Sequence, residues 1–133
     1  PDVLILPIGP MASMALEVAE RLRAEGIGVT VVDPRWAIPV QPSVVRLAAE
    51  HRIVITIEDG IRVGGVGTRV RQVLRDAGVD TAVDELGVPD EFIQHATREQ
   101  ILIDAGLTVD KITEDIIEQV RGTRIPIARP ASA

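Results

Sequence analysis

The sequence predicts an α/β fold, a three-layer α/β/α sandwich around a mostly parallel sheet of four to five strands. Three observations carry this. Val3–Ile8 is a continuous apolar run, which marks a strand covered on both faces. Two more apolar runs, 29–32 and 53–57, are separated from it and from each other by stretches with helical spacing rather than by hairpin turns. The resulting order, β-α-β-α-β-α-β followed by helices only, requires crossovers onto parallel neighbours.

Each element has its own signal. Gly9-Pro10 breaks the first run. Ala15, Leu16, Ala19 and Leu22 then recur at helical spacing, and Gly26 closes that helix as a C-cap. The second strand stops at Asp33-Pro34. Pro39 and Pro42 punctuate a loop, and Val44, Val45, Leu47 and Ala48 mark a second helix with Pro42 near its start. The third strand, 53–57, ends in the adjacent carboxylates Glu58 and Asp59 and then Gly60. A glycine-rich turn follows and opens a third helix over 65–77, with Val66, Val70, Val73 and Leu74 on one face and Gly78 as its stop. A less apolar fourth strand covers 81–86. Beyond Pro89 the pattern is helical: Thr97-Arg98-Glu99-Gln100 reads as a capping box opening a short helix to Ala105, and Thr108 caps a last helix striped by Ile112, Ile116, Ile117 and Val120. The domain runs over 1–122; residues 123–133, with Pro126 and Pro130, form a flexible tail. If the first two connections turn in opposite directions, the first and third strands flank a switch point, and the Gly9-Pro10-Met11 loop lies beside Glu58-Asp59-Gly60.

At 133 residues the chain is one domain, long enough to bury roughly 68% of its unfolded surface without staples. The charge balance, 14 basic against 20 acidic residues, argues against a polyanion as main partner. Trp36 and Phe92 are the only aromatics, too few for a base-stacking platform. With no cysteine there is no disulfide, thiolate zinc or cysteine nucleophile; this is compatible with a cytosol. No apolar run approaches the roughly 20 residues of a membrane span. The start at Pro1, one residue before a core strand, is how an excised piece of a longer polypeptide would begin.

The chemistry-bearing residues do not add up to a catalytic set. Gly64-Gly65-Val66-Gly67 resembles a phosphate cradle but fits neither the dinucleotide fingerprint nor a P-loop; a tight helix start and close packing of another chain explain the glycines better. Glu58 and Asp59 could form an acid–base pair or a metal site, yet neighbours on a strand point to opposite sides, and no histidine is near in sequence. A polar rim that caps helix amides or holds a neighbouring domain is the simpler reading. His51 ends a helix, His95 lies between two helical segments, and neither makes a triad or a zinc site. Arg35 could reach an anion at a strand end or simply pair with a loop carboxylate. On residues alone the chain is a soluble α/β domain, and a small autonomous binding module centred on the Gly9 and Gly60 loops stays open.

Several segments in order resemble a known family. Val3-Leu-Ile-Leu-Pro-Ile-Gly9-Pro-Met11 looks like the first strand and turn of the C-terminal domain of transketolase-like enzymes. Val31-Val-Asp-Pro-Arg35-Trp36-Ala-Ile-Pro39-Val40 is similar to that family's arginine–aromatic–proline passage, and Ile57-Glu58-Asp59-Gly60 with Gly64-Gly65-Val66-Gly67 resembles its third-strand exit. Leu86-Gly-Val-Pro89-Asp-Glu-Phe-Ile-Gln-His95, then Arg98-Glu-Gln-Ile-Leu and Ala105-Gly-Leu107, is similar to the 1-deoxy-D-xylulose 5-phosphate synthase branch. The C-terminal domains of a 2-oxoacid dehydrogenase β-subunit or of transketolase itself are the alternatives within the family. The chain departs from the pattern at Ile38, where lysine is frequent, near Gln41, where an acid is frequent, and at Asp59 and Gly60, where a second Glu and an Asn are frequent.

The resemblance implies a cytoplasmic, homodimeric transferase that uses thiamine diphosphate and Mg. It joins the two-carbon unit of pyruvate, with loss of CO2, to glyceraldehyde 3-phosphate, for isoprenoid and thiamine biosynthesis. It further implies that cofactor and metal are held by two preceding domains and that none is bound by this fragment. The fragment would then supply no catalytic, cofactor or metal residue and would pack against those domains and a second subunit. Met11, Arg35, Glu58, Asp59, Gly60, Gly64, Gly65 and Gly67 are its candidates for the interface or the active-site entrance. Such domains usually carry one more edge strand, which would precede Pro1.

Overall fold

The computed structural model describes residues 1–33, 42–61, 65–88 and 97–122. In chain order these form β1 (Val3–Ile8), a 3-10 turn (Gly9–Met11), α1 (Ala12–Ala24), β2 (Val29–Val31), α2 (Pro42–Glu50), β3 (Ile53–Ile61), α3 (Val66–Asp76), β4 (Ala82–Val88), α4 (Arg98–Asp104) and α5 (Val109–Val120). The four strands are parallel and lie in the order β2-β1-β3-β4.

Alternation along the central strands divides the core. Val3 and Ile5 of β1, with Ile53, Ile55 and Ile57 of β3, face α1 and α5; Leu4, Leu6 and Val54 face α2 and α3. Both sides of β1 are buried, which is why its sequence is unbroken by polar residues. The chain leaves β1 towards β2, then returns past β1 to β3 and on to β4. Right-handed crossovers in opposite directions put their helices on opposite faces. Accordingly α1 covers one face, and α2 and α3 cover the other.

The helix ends repeat one device. Leu22-Arg-Ala-Glu-Gly26-Ile27, Leu74-Arg-Asp-Ala-Gly78-Val79 and Leu102-Ile-Asp-Ala-Gly106-Leu107 share a spacing, and in each the amide after the glycine bonds the leucine carbonyl (Ile27 to Leu22 at 3.1 Å, Val79 to Leu74 at 2.9 Å, Leu107 to Leu102 at 2.8 Å). Gly26 and Gly78 have φ of 80° and 73°, which an L-residue adopts at a cost. Each motif pairs an apolar residue after the turn with a leucine one turn back, so it stops the helix and folds the next segment onto the core.

At the amino edge of the sheet Asp2 joins three strands. Its amide and that of Val3 donate to the Gly28 carbonyl (both 3.0 Å), and its carbonyl accepts from Arg52 and Ile53 (both 3.1 Å). Its carboxylate accepts from the Gly28 amide (3.0 Å) and from Arg52 (3.3 Å). Across the helical layer, Arg21 pairs with Asp110 and Arg121 with Glu25 (2.9 Å), tying α1 to α5.

Two sequence expectations change. The third strand does not stop at residue 57: β3 continues through Glu58, Asp59 and Gly60 to Ile61. Its ladder with β4 slips there, since Ile57 pairs with Leu86 but Ile61 pairs with Val88. Four steps on one strand match two on the other, and the surplus is a bulge. The capping box over 97–100 is half realised: Thr97 accepts from the Gln100 amide (3.1 Å), but the Gln100 side chain reaches forward to Asp104 (2.8 Å) rather than back to Thr97. Spacing along the helix makes residue i+4 an available partner for that side-chain amide. The predicted tail, 123–133, lies outside the described residues.

Candidate functional site

β1 and β3 pair side by side while their onward connections run in opposite directions, so the switch point lies between them. At its carboxyl end Ile8 is the register partner of Glu58. The turn after β1 and the bulge of β3 therefore stand together, as the sequence argument required of that topology.

Gly9 takes φ of 67° as β1 leaves the sheet, and the 3-10 turn leads straight into α1. This carries Met11 inward: it is 2% exposed and belongs to the core between the sheet, α1 and α5. Its side chain supports the turn from below.

Glu58 is 8% exposed. Its two carboxylate oxygens accept from successive amides at the start of α3, Oε2 from Val66 (3.2 Å) and Oε1 from Gly67 (3.1 Å). Gly65 is the N-cap and has no side chain to offer, so the acceptor comes from the neighbouring strand instead. A carboxylate also suits the positive end of the helix dipole. The amides that would cradle a phosphate at this glycine-rich turn are thus occupied by the chain's own anion.

Gly67 lies against the sheet. A β-carbon there would stand 2.6 Å from Oγ1 of Thr56, 3.1 Å from Cγ of Glu85 and 3.2 Å from Glu85 Oε1. Thr56 is fully buried, and its hydroxyl has no hydrogen-bond partner among the described residues. Glu85, the register partner of Thr56, accepts from the Thr68 hydroxyl (2.8 Å) and pairs with Arg71 (2.8 Å), whose other nitrogen donates to the Val83 carbonyl (2.7 Å). On the opposite face of β4, Asp84 accepts from Gln119 of α5 (3.0 Å). The less apolar fourth strand is polar because both helical layers bond to it.

Of the other candidates, Asp59 and Gly60 lie in the backbone of the β3 bulge, and Arg35 and Gly64 lie outside the described residues, as does His95. His51 is structural: Nδ1 donates to the Leu47 carbonyl (2.6 Å) at the end of α2, and Nε2 bonds the Thr30 hydroxyl (2.8 Å). Sequence reasoning gave Thr56, Thr68 and Glu85 no role at the site. The one available signal was a threonine within an isoleucine–valine run. Among the described residues no group of three or more His, Asp or Glu side chains is placed to hold a metal ion, and no helix is long and apolar enough to cross a membrane.

Comparison with known proteins adds three findings. The family model for the transketolase C-terminal domain matches residues 1–112. Proteins named 1-deoxy-D-xylulose-5-phosphate synthase are similar: that of Leifsonia xyli subsp. xyli is 69% identical over 129 residues, and that of Clavibacter sepedonicus is 63% identical over 129 residues, in each case 97% of this chain and 20% of the relative. The chain therefore spans about one fifth of the length of the curated relatives it matches. Among solved structures, a chain titled "Split gene transketolase, inactive beta4 tetramer" superposes with a TM-score of 0.80 at 31% identity, covering 92% of this chain and 40% of that one.

Proposed function

The chain belongs to the transketolase C-terminal domain family, and from that premise we propose that it is the C-terminal domain of a 1-deoxy-D-xylulose 5-phosphate synthase. The observation that carries the reading is the 69% identity, over almost the whole chain, to a protein of that name. The parent enzyme would be a thiamine diphosphate-dependent transferase. It would condense pyruvate with glyceraldehyde 3-phosphate, release CO2 and supply isoprenoid and thiamine biosynthesis.

Thiamine diphosphate and Mg do not fit the described residues of this domain. The only glycine-rich helix start among them that resembles a diphosphate cradle already holds Glu58, and among the described residues no group of three or more His, Asp or Glu is placed for a metal. We therefore assign cofactor and metal to the preceding domains, and to this domain the work of a structural and interface unit. Its partners are those domains and a second subunit, in a cytoplasmic homodimer. Its carboxyl edge, at the switch point, is the side that would face the active-site entrance. Glu58, Gly65, Gly67 and Met11 would shape that edge from beneath, leaving Arg35, Asp59, Gly60 and Gly64 as the residues to make contact.

The test is to express the full reading frame and assay it with pyruvate, glyceraldehyde 3-phosphate, thiamine diphosphate and magnesium. Formation of deoxyxylulose phosphate is expected. A well-folded full-length protein that makes none would overturn the reading.

A further inference from the structure

We propose that Glu58 is a positioning residue for the synthase reaction: its buried carboxylate fixes where the start of α3 stands at the switch-point crevice. The proposal rests on the reading above and concerns how this domain serves it.

Helices ordinarily take their first acceptor from the N-cap residue itself. Such a local cap stabilises a helix wherever the helix lies. Here the N-cap is Gly65, and both acceptors come from β3. Two oxygens on one planar group, bonded to two successive amides, set direction as well as distance. The cap is therefore a tether that defines α3 relative to the sheet. Two other features act with it. Glu58 opens the bulge of β3, the kind of irregularity that re-aims a side chain at a sheet's rim. Gly67, the second tethered residue, sits too close to Thr56 to admit even a methyl group. At 8% exposure and with both oxygens engaged, Glu58 acts through α3 and does not touch a ligand itself.

A positioning role and a stabilising role separate in one pair of variants of the full-length enzyme. Glu58→Ala removes the tether. Adding Gly65→Asp supplies a local cap without restoring it; the extended backbone of Gly65 (φ −81°, ψ −173°) accepts any residue. For Glu58→Ala, kcat/KM for glyceraldehyde 3-phosphate should fall by about tenfold or more, as small displacements near a site do, with the Kd for thiamine diphosphate unchanged. The double variant should recover the melting temperature but not kcat/KM. If Glu58→Ala does not fold, Glu58→Gln keeps one acceptor oxygen and carries the same comparison with and without Gly65→Asp. Recovery of kcat/KM by the local cap, or wild-type kinetics in Glu58→Ala, would overturn the proposal. Absence of product from the wild-type enzyme would instead count against the synthase reading, and the role assigned to Glu58 would fall with it.

Discussion

Oγ1 of Thr56 lies 2.6 Å from the place a β-carbon on Gly67 would occupy, so strand β3 and helix α3 meet at a point where only glycine fits. Alanine gains up to about 1 kcal/mol over glycine in a helix interior, and less in the first turn, where Gly67 lies. Here the opposing atom belongs to a fully buried β-branched side chain with restricted χ1, and overpacking costs about 1–3 kcal/mol. Gly67→Ala should therefore destabilise. In a Thr56→Ala background the same change should cost clearly less. Denaturant midpoints of the four proteins of this cycle check it; strict additivity would show that the two sites do not meet as described.

Asp2 should make stability depend on acid. Its carboxyl is held below its ordinary value of 3.8, chiefly by the hydrogen bond from the Gly28 amide and further by Arg52. A depressed value means that the unfolded chain takes up the proton more readily, so this stabilisation is complete well above 3.8 and is lost as pH falls through the lower folded-state value. Because the side chain is 30% exposed, Asp2→Asn should cost at most about 1 kcal/mol at neutral pH. Urea midpoints at pH 7 and pH 3 should show the gap to wild type closing in acid; a constant gap would assign the effect to something other than charge.

Two threonine caps should differ in weight. Thr108 accepts from the Lys111 amide (3.2 Å) and starts a helix that brings Ile112 and Ile116 into the core, whereas Thr97 caps a helix of seven residues. Loss of either cap costs about 0.5–2 kcal/mol. Thermal melts should rank Thr108→Ala as the more harmful, with Thr97→Ala at the low end.

His51→Leu should lose about 1–3 kcal/mol, because the Leu47 carbonyl and the Thr30 hydroxyl would both be left without their partner. Thr30→Val removes only one of those bonds and should cost less. Equilibrium unfolding of the two variants gives the comparison.

The isolated 133-residue chain should not turn over pyruvate in the presence of thiamine diphosphate and magnesium, since the reading proposed above assigns cofactor and metal to the preceding domains. Release of CO2 by the purified chain, measured against a buffer blank, would contradict this.

Much of the fold was legible because its signals are local. Apolar runs gave the central strands, Gly26 and Gly78 gave helix ends, and Thr97 and Thr108 gave helix starts. The course of β3 was not legible. Asp59 and Gly60 are poor strand formers and read as a turn, but pairing with β4 carries the backbone on to Ile61. Met11 read as a loop residue because it follows Pro10; the 3-10 turn that draws it inward is set by where α1 packs.

The site was legible in outline and not in detail. The sequence placed a carboxylate and a glycine-rich turn at one sheet edge and allowed for a carboxylate that caps amides. Which amides Glu58 bonds depends on a partner eight or nine residues away across a crossover. Glu85 and Thr56 meet only through strand register, which no periodicity announces. Arg35 and Gly64 lie outside the described residues.

The surplus in the β3 bulge is an even number: between their paired positions β3 advances from Ile57 to Ile61 while β4 advances from Leu86 to Val88. Alternation in a strand has period two, so the two strands leave the irregularity in step. Length variation at this spot is thereby quantised. Removing or adding residues in twos would change the rim and leave the closing Ile61–Val88 pair in phase, whereas a single-residue indel would shift the parity of that last pair. The segment that carries Glu58 can in this way be remodelled without rewriting the sheet, provided the changes come in pairs.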